Sequence, residues 1–443
     1  MGSWMRVGHR ARAVLVGVVS VALAATSWVR VQAPAQAGRV IASMPQTNAV
    51  DTTPRVVDDA RVREAGVFEL HQVGRTMFAG GRFNTVLNAT RTVTYKRWNL
   101  FSFNATSGSL TTWAPVVNGA VFAMESSRDG RYLYIGGSFS TFAGVPVNGL
   151  VKFDLKRGKV AKGFHSPVAA GRISDLQIVG RRLFVSGNFP GGIVSLDPAK
   201  GTRSKYLSTV QVAGAEPGYS TRVYRFAVNP ARTRMVVIGS FTAVGKWPRR
   251  QVAMIRLGST ASVSPWFSTR WNETCSPTRM WYTRDVDWAP DGSYFAIVTT
   301  GAAFPRTAKL CDTITRWNPV EAGNQQPAWI NYSGGDTFHS VAVTNLAVFA
   351  GGHFRWLNNP LGKDTKGPGA VDRLGLGAVS PTTGRALAWN PTKSVEGGLG
   401  AFDLYFTRRG LWVGHFERYL GTGPHGRELH EGLGLLPSGP RWN

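Results

Sequence analysis

The sequence predicts an all-β chain folded as a seven-bladed β-propeller of four-stranded antiparallel blades. Three observations carry this expectation. A phrase made of an apolar run, one or two glycines, any residue and phenylalanine recurs at Phe83, Phe139, Phe189, Phe241, Phe354 and Phe416, with a degenerate copy at Phe304. These phenylalanines stand 50 to 63 residues apart, a period that marks repeated supersecondary units. After residue 40 no long window places apolar residues at i, i+3, i+4 and i+7, so helices are not expected. Finally, a glycine-containing turn followed by a large aromatic closes nearly every unit. A four-stranded sheet of this length cannot cover both of its faces alone. Arranged radially, each sheet is covered by its neighbours and only short edges remain.

The first 37 residues have the form of a secretory signal. Arg6, Arg10 and Arg12 form a positive head, Ala13 to Ala25 is apolar, and Ala35-Gln36-Ala37 has the small-x-small form of a cleavage site. The apolar run is short for a membrane span, and an uncleaved anchor is the alternative. No later segment could cross a membrane. Residues 38–60 follow as an N-terminal segment, and 61–443 as the propeller. The last unit ends four residues after Gly439, too soon for an outer strand. The stretch Val40 to Val57 is therefore expected to complete the last blade.

Within a unit the strands can be read from alternation and turns. In the second unit, Val121 to Glu125 is a first strand and Asp129-Gly130 a hairpin turn, because glycine takes positive φ without cost. Arg131 to Gly136 reads as a second strand covered on both faces. Gly136-Gly137 lets the chain bend or approach a neighbour closely. Gly149 to Phe153 is a third strand, Asp154 to Gly158 a turn, and a fourth strand carries Phe164. The same punctuation leads to Trp113, Tyr206, Trp266, Trp329 and Trp389. An aromatic at this offset in every unit is expected to anchor adjacent sheets.

Cys275 and Cys311 are the only cysteines. A secreted chain favours a disulfide between them, and two free thiols is the alternative. The formal charge is +26, or +22 once the targeting segment is removed. That charge implies attraction to an anionic partner. The basic residues do not cluster into runs, which argues against nucleic acid.

At these residues the chain resembles the delta-sixty-type propeller repeats of secreted actinobacterial and other bacterial proteins, with kelch repeats similar in pattern. The resemblance rests on the Gly-Gly-x-Phe step and the Asp/Asn-x-x-x-Gly turn. It also rests on the exits Trp113-Ala114-Pro115 and Trp389-Asn390-Pro391, and on the cysteine-bearing unit around Asp285 to Phe295. It spans about residues 60–443. It implies the fold and secretion, and no particular activity.

The candidate face residues fill or flank the variable slot before the phenylalanine: Arg82, His353, Arg355 and His415. His353 and His415 occupy the same slot of the last two units, and no third ligand accompanies them. His71, His165 and His339 lie on separate units. His425, Glu428, His430 and Glu431 could bind a metal, but read first as a solvated loop. Asp285 and Asp287 point to one face, a spacing seen in glycoside cleavage but also in carboxylates that hold loop backbones. No catalytic, cofactor or metal residue is assigned. The expected function is a secreted, monomeric, cell-envelope-associated module binding an anionic wall polymer, a polysaccharide or a protein. The alternative is an enzyme on a saccharide or small molecule, a lyase, hydrolase or quinoprotein-like oxidoreductase. That alternative requires polar groups from several blades to converge at one mouth of the channel.

Overall fold

The computed structural model describes residues 38–168, 171–216, 218–275, 281–301, 309–391, 400–423 and 426–439. The first 37 residues, expected from sequence to be a secretory signal, lie outside the described residues, as do Phe304, His425 and Trp442. The chain forms a succession of antiparallel meanders. Their first strands are Gly66–Val73, Val121–Ser126, Ile173–Val179, Arg222–Val228, Tyr282–Trp288, Thr337–Val343 and Asp403–Thr407. We number the seven sheets one to seven in this order. Each first strand packs against the first strand of the next sheet, and that of sheet seven packs against that of sheet one. The ring of inner strands thus surrounds a central channel. Each inter-sheet gap is filled by apolar side chains such as Leu133, Ile135 and Val151, all buried.

Sheets two to five have four strands, whereas sheets one, six and seven have three. In those three the outer position shrinks to a single bridge: Phe103 to Leu110, Val379 to Ala386, and Pro45 to Ser438. The expectation of four strands throughout is corrected there. The outer runs are short, and Pro115 and Pro391 close those of sheets one and six, so little ladder can form. In sheet two the fourth strand is only Lys159–Val160. Phe164 lies beyond it and packs on Tyr134, with ring centroids 5.8 Å apart.

The N-terminal segment runs along the edge of sheet seven. Gln46 N donates to Pro437 O at 2.8 Å and Val50 N to Leu435 O at 2.9 Å. Trp389 Nε1 donates to Pro45 O at 2.7 Å.

The aromatic after each turn reaches the next sheet. Trp113 meets Phe78 of sheet one and Phe153 of sheet two at 5.2 and 5.4 Å. Tyr206 Oη donates to Gly258 O, Trp266 Nε1 to Asn318 O, and Trp329 Nε1 to Pro381 O. Tyr206, Trp266 and Trp329 therefore pack between sheets while their polar tips satisfy the neighbouring turn. Cys275 and Cys311 form a disulfide with Cα atoms 5.8 Å apart.

Candidate functional site

The site grows from one irregularity repeated around the ring. In sheets one to six the first strand carries a β-bulge near its start, one extra residue facing a single partner. The triplets are Val67-Phe68-Glu69, Val121-Phe122-Ala123, Ile173-Ser174-Asp175, Val223-Tyr224-Arg225, Thr283-Arg284-Asp285 and Phe338-His339-Ser340. Ala401-Phe402-Asp403 occupies the same place in sheet seven. A bulge re-aims the extra side chain. The first residue of each triplet enters the core and the extra one turns to the rim. The third lines the channel at Glu69, Asp175, Arg225, Asp285 and Asp403, whereas Ala123 joins the core and Ser340 Oγ donates to Ala401 O.

The rim residues form a continuous belt. The Arg172 guanidinium lies 3.5 Å from the Phe122 ring centroid. Phe122 stacks on Phe68 at 5.4 Å, and Phe68 meets Phe402 at 5.5 Å. Phe402 stacks on His339 at 4.5 Å, whose Nδ1 lies 2.7 Å from Arg284 Nη2. Arg284 Nη1 donates to Tyr282 Oη at 2.7 Å, Tyr282 stacks on Tyr224 at 5.0 Å, and Arg222 lies 4.7 Å from that ring. Phe416, from the glycine–phenylalanine phrase of sheet seven, joins Phe68 and Phe402. The antiparallel register pairs Gly66 with Arg82, so this rim and the variable loops after the phrase share one face. Desolvation, followed by repulsion from Arg225, Arg222 and Arg284, pushes the Arg172 guanidinium down to about 10. That repulsion shows positive charge gathered at one opening.

Below the rim, a cavity of about 370 Å³ runs along the channel to Gly38, Arg39 and Val40 at the far end. Polar groups from several sheets converge here, which is the arrangement the enzyme alternative requires. Their bonds, however, run between sheets. Asp175 Oδ2 accepts from Phe226 N at 2.9 Å, Asp285 Oδ2 from Val341 N at 2.9 Å, and Asp287 Oδ2 from Val343 N at 2.7 Å. Asp403 Oδ2 accepts from Leu70 N at 2.6 Å. Each carboxylate therefore fastens its own sheet to the inner strand of the next. Arg225 lies 3.4 Å from Glu69 and 3.8 Å from Asp175. Burial opposes its charge, yet Glu69, Asp175, Asp285 and Asp403 outweigh burial and raise its pKa. Burial pushes Asp285 up to about 6 and Asp403 up to about 7, with Arg225 opposing both shifts.

The residues singled out from sequence are spread elsewhere, and none of Arg82, His353, Arg355 and His415 lines the channel cavity. Arg82 is exposed, donates to Arg63 O at 3.1 Å and lies 3.5 Å from Glu64. Arg355 chelates Asp336 and also reaches Asp364, with its guanidinium 4.3 Å from the Trp356 ring. His353 is half-buried at a strand end opposite Thr337. His415 is fully buried and its carbonyl accepts from Val67 N, so its place on a face is corrected: sheet one closes over it. His71 is buried in the second layer of the channel, and burial lowers it to about 4. His165 is exposed. Of the separate histidines, His339 alone belongs to the rim.

The rim was missed because alignment on the glycine–phenylalanine phrase stops at the second strand. Extending it back to the preceding strand puts Phe68, Phe122, Ser174, Tyr224, Arg284, His339 and Phe402 in one column. A column of aromatic and basic residues where a strand should alternate into the core is the available signal.

No protein-family model and no curated protein matches the chain. Among solved structures, the WD40 repeats of RRP9 share 11% identity over 88% of this chain and 99% of theirs, with a TM-score of 0.51. A chain of the mitotic checkpoint complex shares 14% identity over 88% of this chain and 96% of its own, also with a TM-score of 0.51. At these identities the likeness shows the fold alone, an all-β propeller.

Proposed function

We propose that the chain is a secreted, monomeric, seven-bladed propeller of the delta-sixty-like kind that serves as a binding module at the cell envelope. Its partner is a protein segment carrying acidic and aromatic groups, docked over the rim of the channel. The observation that carries this reading is the belt from Arg172 through Phe122, Phe68, Phe402, His339 and Arg284 to Tyr224 and Arg222. Arginine and aromatic side chains dominate the energetic centres of protein interfaces. All but the exposed Arg172 are half-buried here, so docking costs little side-chain entropy. The excess positive charge steers an acidic partner. The channel carboxylates are engaged by backbone amides and Arg225, which favours binding over catalysis. One solved neighbour is itself part of a complex.

The test is retention of the purified chain on isolated envelope material, with and without protease digestion of that material. Replacing Arg172 and Arg222 together by alanine is expected to weaken retention by about tenfold or more. Arg181→Ala, in the turn at the opposite end of sheet three, is expected to leave it unchanged. Protease treatment should abolish retention. Retention that survives protease and falls steeply with salt points instead to an anionic wall polymer. Retention indifferent to Arg172 and Arg222 removes the rim from the account.

A further inference from the structure

The N-terminal segment and the last hairpin bring three metal-ligating side chains together. Asp51 follows the segment bonded to sheet seven and is exposed. Glu428 is the penultimate residue of the hairpin strand Gly426–Leu429, and His430 follows two residues later. Two residues apart on extended chain, the last two project to the same side. One ligand atom from each of Asp51, Glu428 and His430 lies within 4.8 Å of the other two. From this juxtaposition we infer a zinc site formed by Asp51, Glu428 and His430, which clasps the N-terminal segment to the C-terminal hairpin.

A second observation points to a ligand. His430 is only 1% exposed, and neither ring nitrogen has a hydrogen-bond partner among the described residues. Its Nε2 stands 3.6 Å from Glu428 Oε2, too far for a good hydrogen bond. Glu428 Oε2 is itself buried without a hydrogen-bond partner among the described residues. Buried polar atoms left in this way are costly unless something else satisfies them. A bridging cation would satisfy both.

The neighbouring charges are already committed elsewhere. Glu431 accepts two bonds from Arg91, at 2.9 and 2.8 Å, and lies 4.0 Å from Arg55. Arg55 also donates to Leu429 O and to Ala89 O. Arg55 opposes a cation here, but the two carboxylates of Asp51 and Glu428 outnumber it.

One imidazole nitrogen and two carboxylate oxygens make a borderline donor set. It suits Zn²⁺ at bond lengths of about 2.0–2.2 Å, and offers too few oxygens for Ca²⁺. A tetrahedral ion spaces its donors by roughly 3.4 Å, so the side chains need close in only slightly, with water as the fourth ligand. The metal would then join residues 51 and 428 through a cross-link that spans nearly the whole propeller. Such a link raises the stability of the folded chain in proportion to metal occupancy.

Isothermal titration of Zn²⁺ into the EDTA-stripped chain tests this, with thermal unfolding in parallel. One Zn²⁺ per chain and a midpoint that climbs with Zn²⁺ concentration are expected. Asp51→Asn changes an exposed residue and should fold. It and Glu428→Gln should each weaken Zn²⁺ binding by at least about a hundredfold, whereas Glu64→Gln should not. Co²⁺ in place of Zn²⁺ should give a tetrahedral visible spectrum that Asp51→Asn abolishes. No saturable uptake by the wild-type chain, or uptake that either ligand variant leaves undiminished, overturns the clasp.

Discussion

Glu125 illustrates how a single side chain couples this fold to pH. Burial, with Asp175 adding repulsion, pushes its carboxyl up from 4.5 to about 8, although it accepts a hydrogen bond from the Ile178 amide. Between those values the folded chain holds a proton that the unfolded chain has released, so stability falls as pH climbs and levels off above 8. Asp403, raised to about 7, acts in the same sense. His71, lowered to about 4, acts in the opposite sense but only below its ordinary 6.5. The window from pH 6.5 to 8 therefore isolates the carboxylates. Urea midpoints are expected to fall across it, and Glu125→Gln, which keeps an acceptor for Ile178 N, is expected to flatten the fall. A slope unchanged in that variant would assign the pH dependence elsewhere. Single residues were unevenly legible in the sequence. The pairing of Cys275 with Cys311 was legible from the count and from the expected compartment. The burial of His415 did not, since its slot in the repeat is exposed at Arg82 and covered at the last sheet, where sheet one closes over it.

The glycine pair of the repeated phrase has two steric reasons, one for each glycine. None of these glycines has positive φ, so bending is not their role. A Cβ on Gly80 or Gly136 would meet the first strand of the next sheet, at 2.5 Å from Val121 or Ile173. In sheets one to four and six a Cβ on the second glycine would strike a backbone carbonyl of its own first strand or just before it, and at Gly414 it would meet Val67 O of sheet one instead. The distances are 2.0 Å at Gly81, and 2.1 Å at Gly137, Gly187 and Gly239. The first clash involves movable side chains, and Ser186 replaces that glycine in sheet three. The second involves backbone beside the bulge, and the residue is glycine in every clear copy of the phrase. Gly137→Ala is accordingly expected to cost about 1–3 kcal/mol by overpacking, while Gly258→Ala, at an open and exposed position, stays within about 0.5 kcal/mol. Equal costs in equilibrium unfolding would refute this division. The phrase and the second strand that it ends were legible from sequence. The bulge opposite the phrase was not, because it changes register without changing the apolar pattern.

At the scale of the molecule, the ring has a single junction where chain ends meet. Sheet seven borrows its outer contacts from residues 45–50, and Trp389 donates to Pro45 O. Starting the chain at residue 51 is expected to lower the unfolding midpoint. It would remove backbone bonds worth about 0.5–1.5 kcal/mol each and leave the buried Trp389 Nε1 unpaired at a further cost of about 1–3 kcal/mol. Calorimetry showing an unchanged midpoint would mean that the segment is dispensable. The sequence by itself determined the all-β class, the repeat period, the aromatic anchors and the disulfide. All of these depend on local chain chemistry repeated or paired at readable spacing. Only the tertiary structure decided which residues face the channel, which histidines are buried, and that Arg172, Phe122, Phe402 and Arg284 form one belt. Those outcomes depend on bringing strands hundreds of residues apart around a common axis. A repeat pattern records how each strand fits its neighbour. It does not record which side chains meet across the ring.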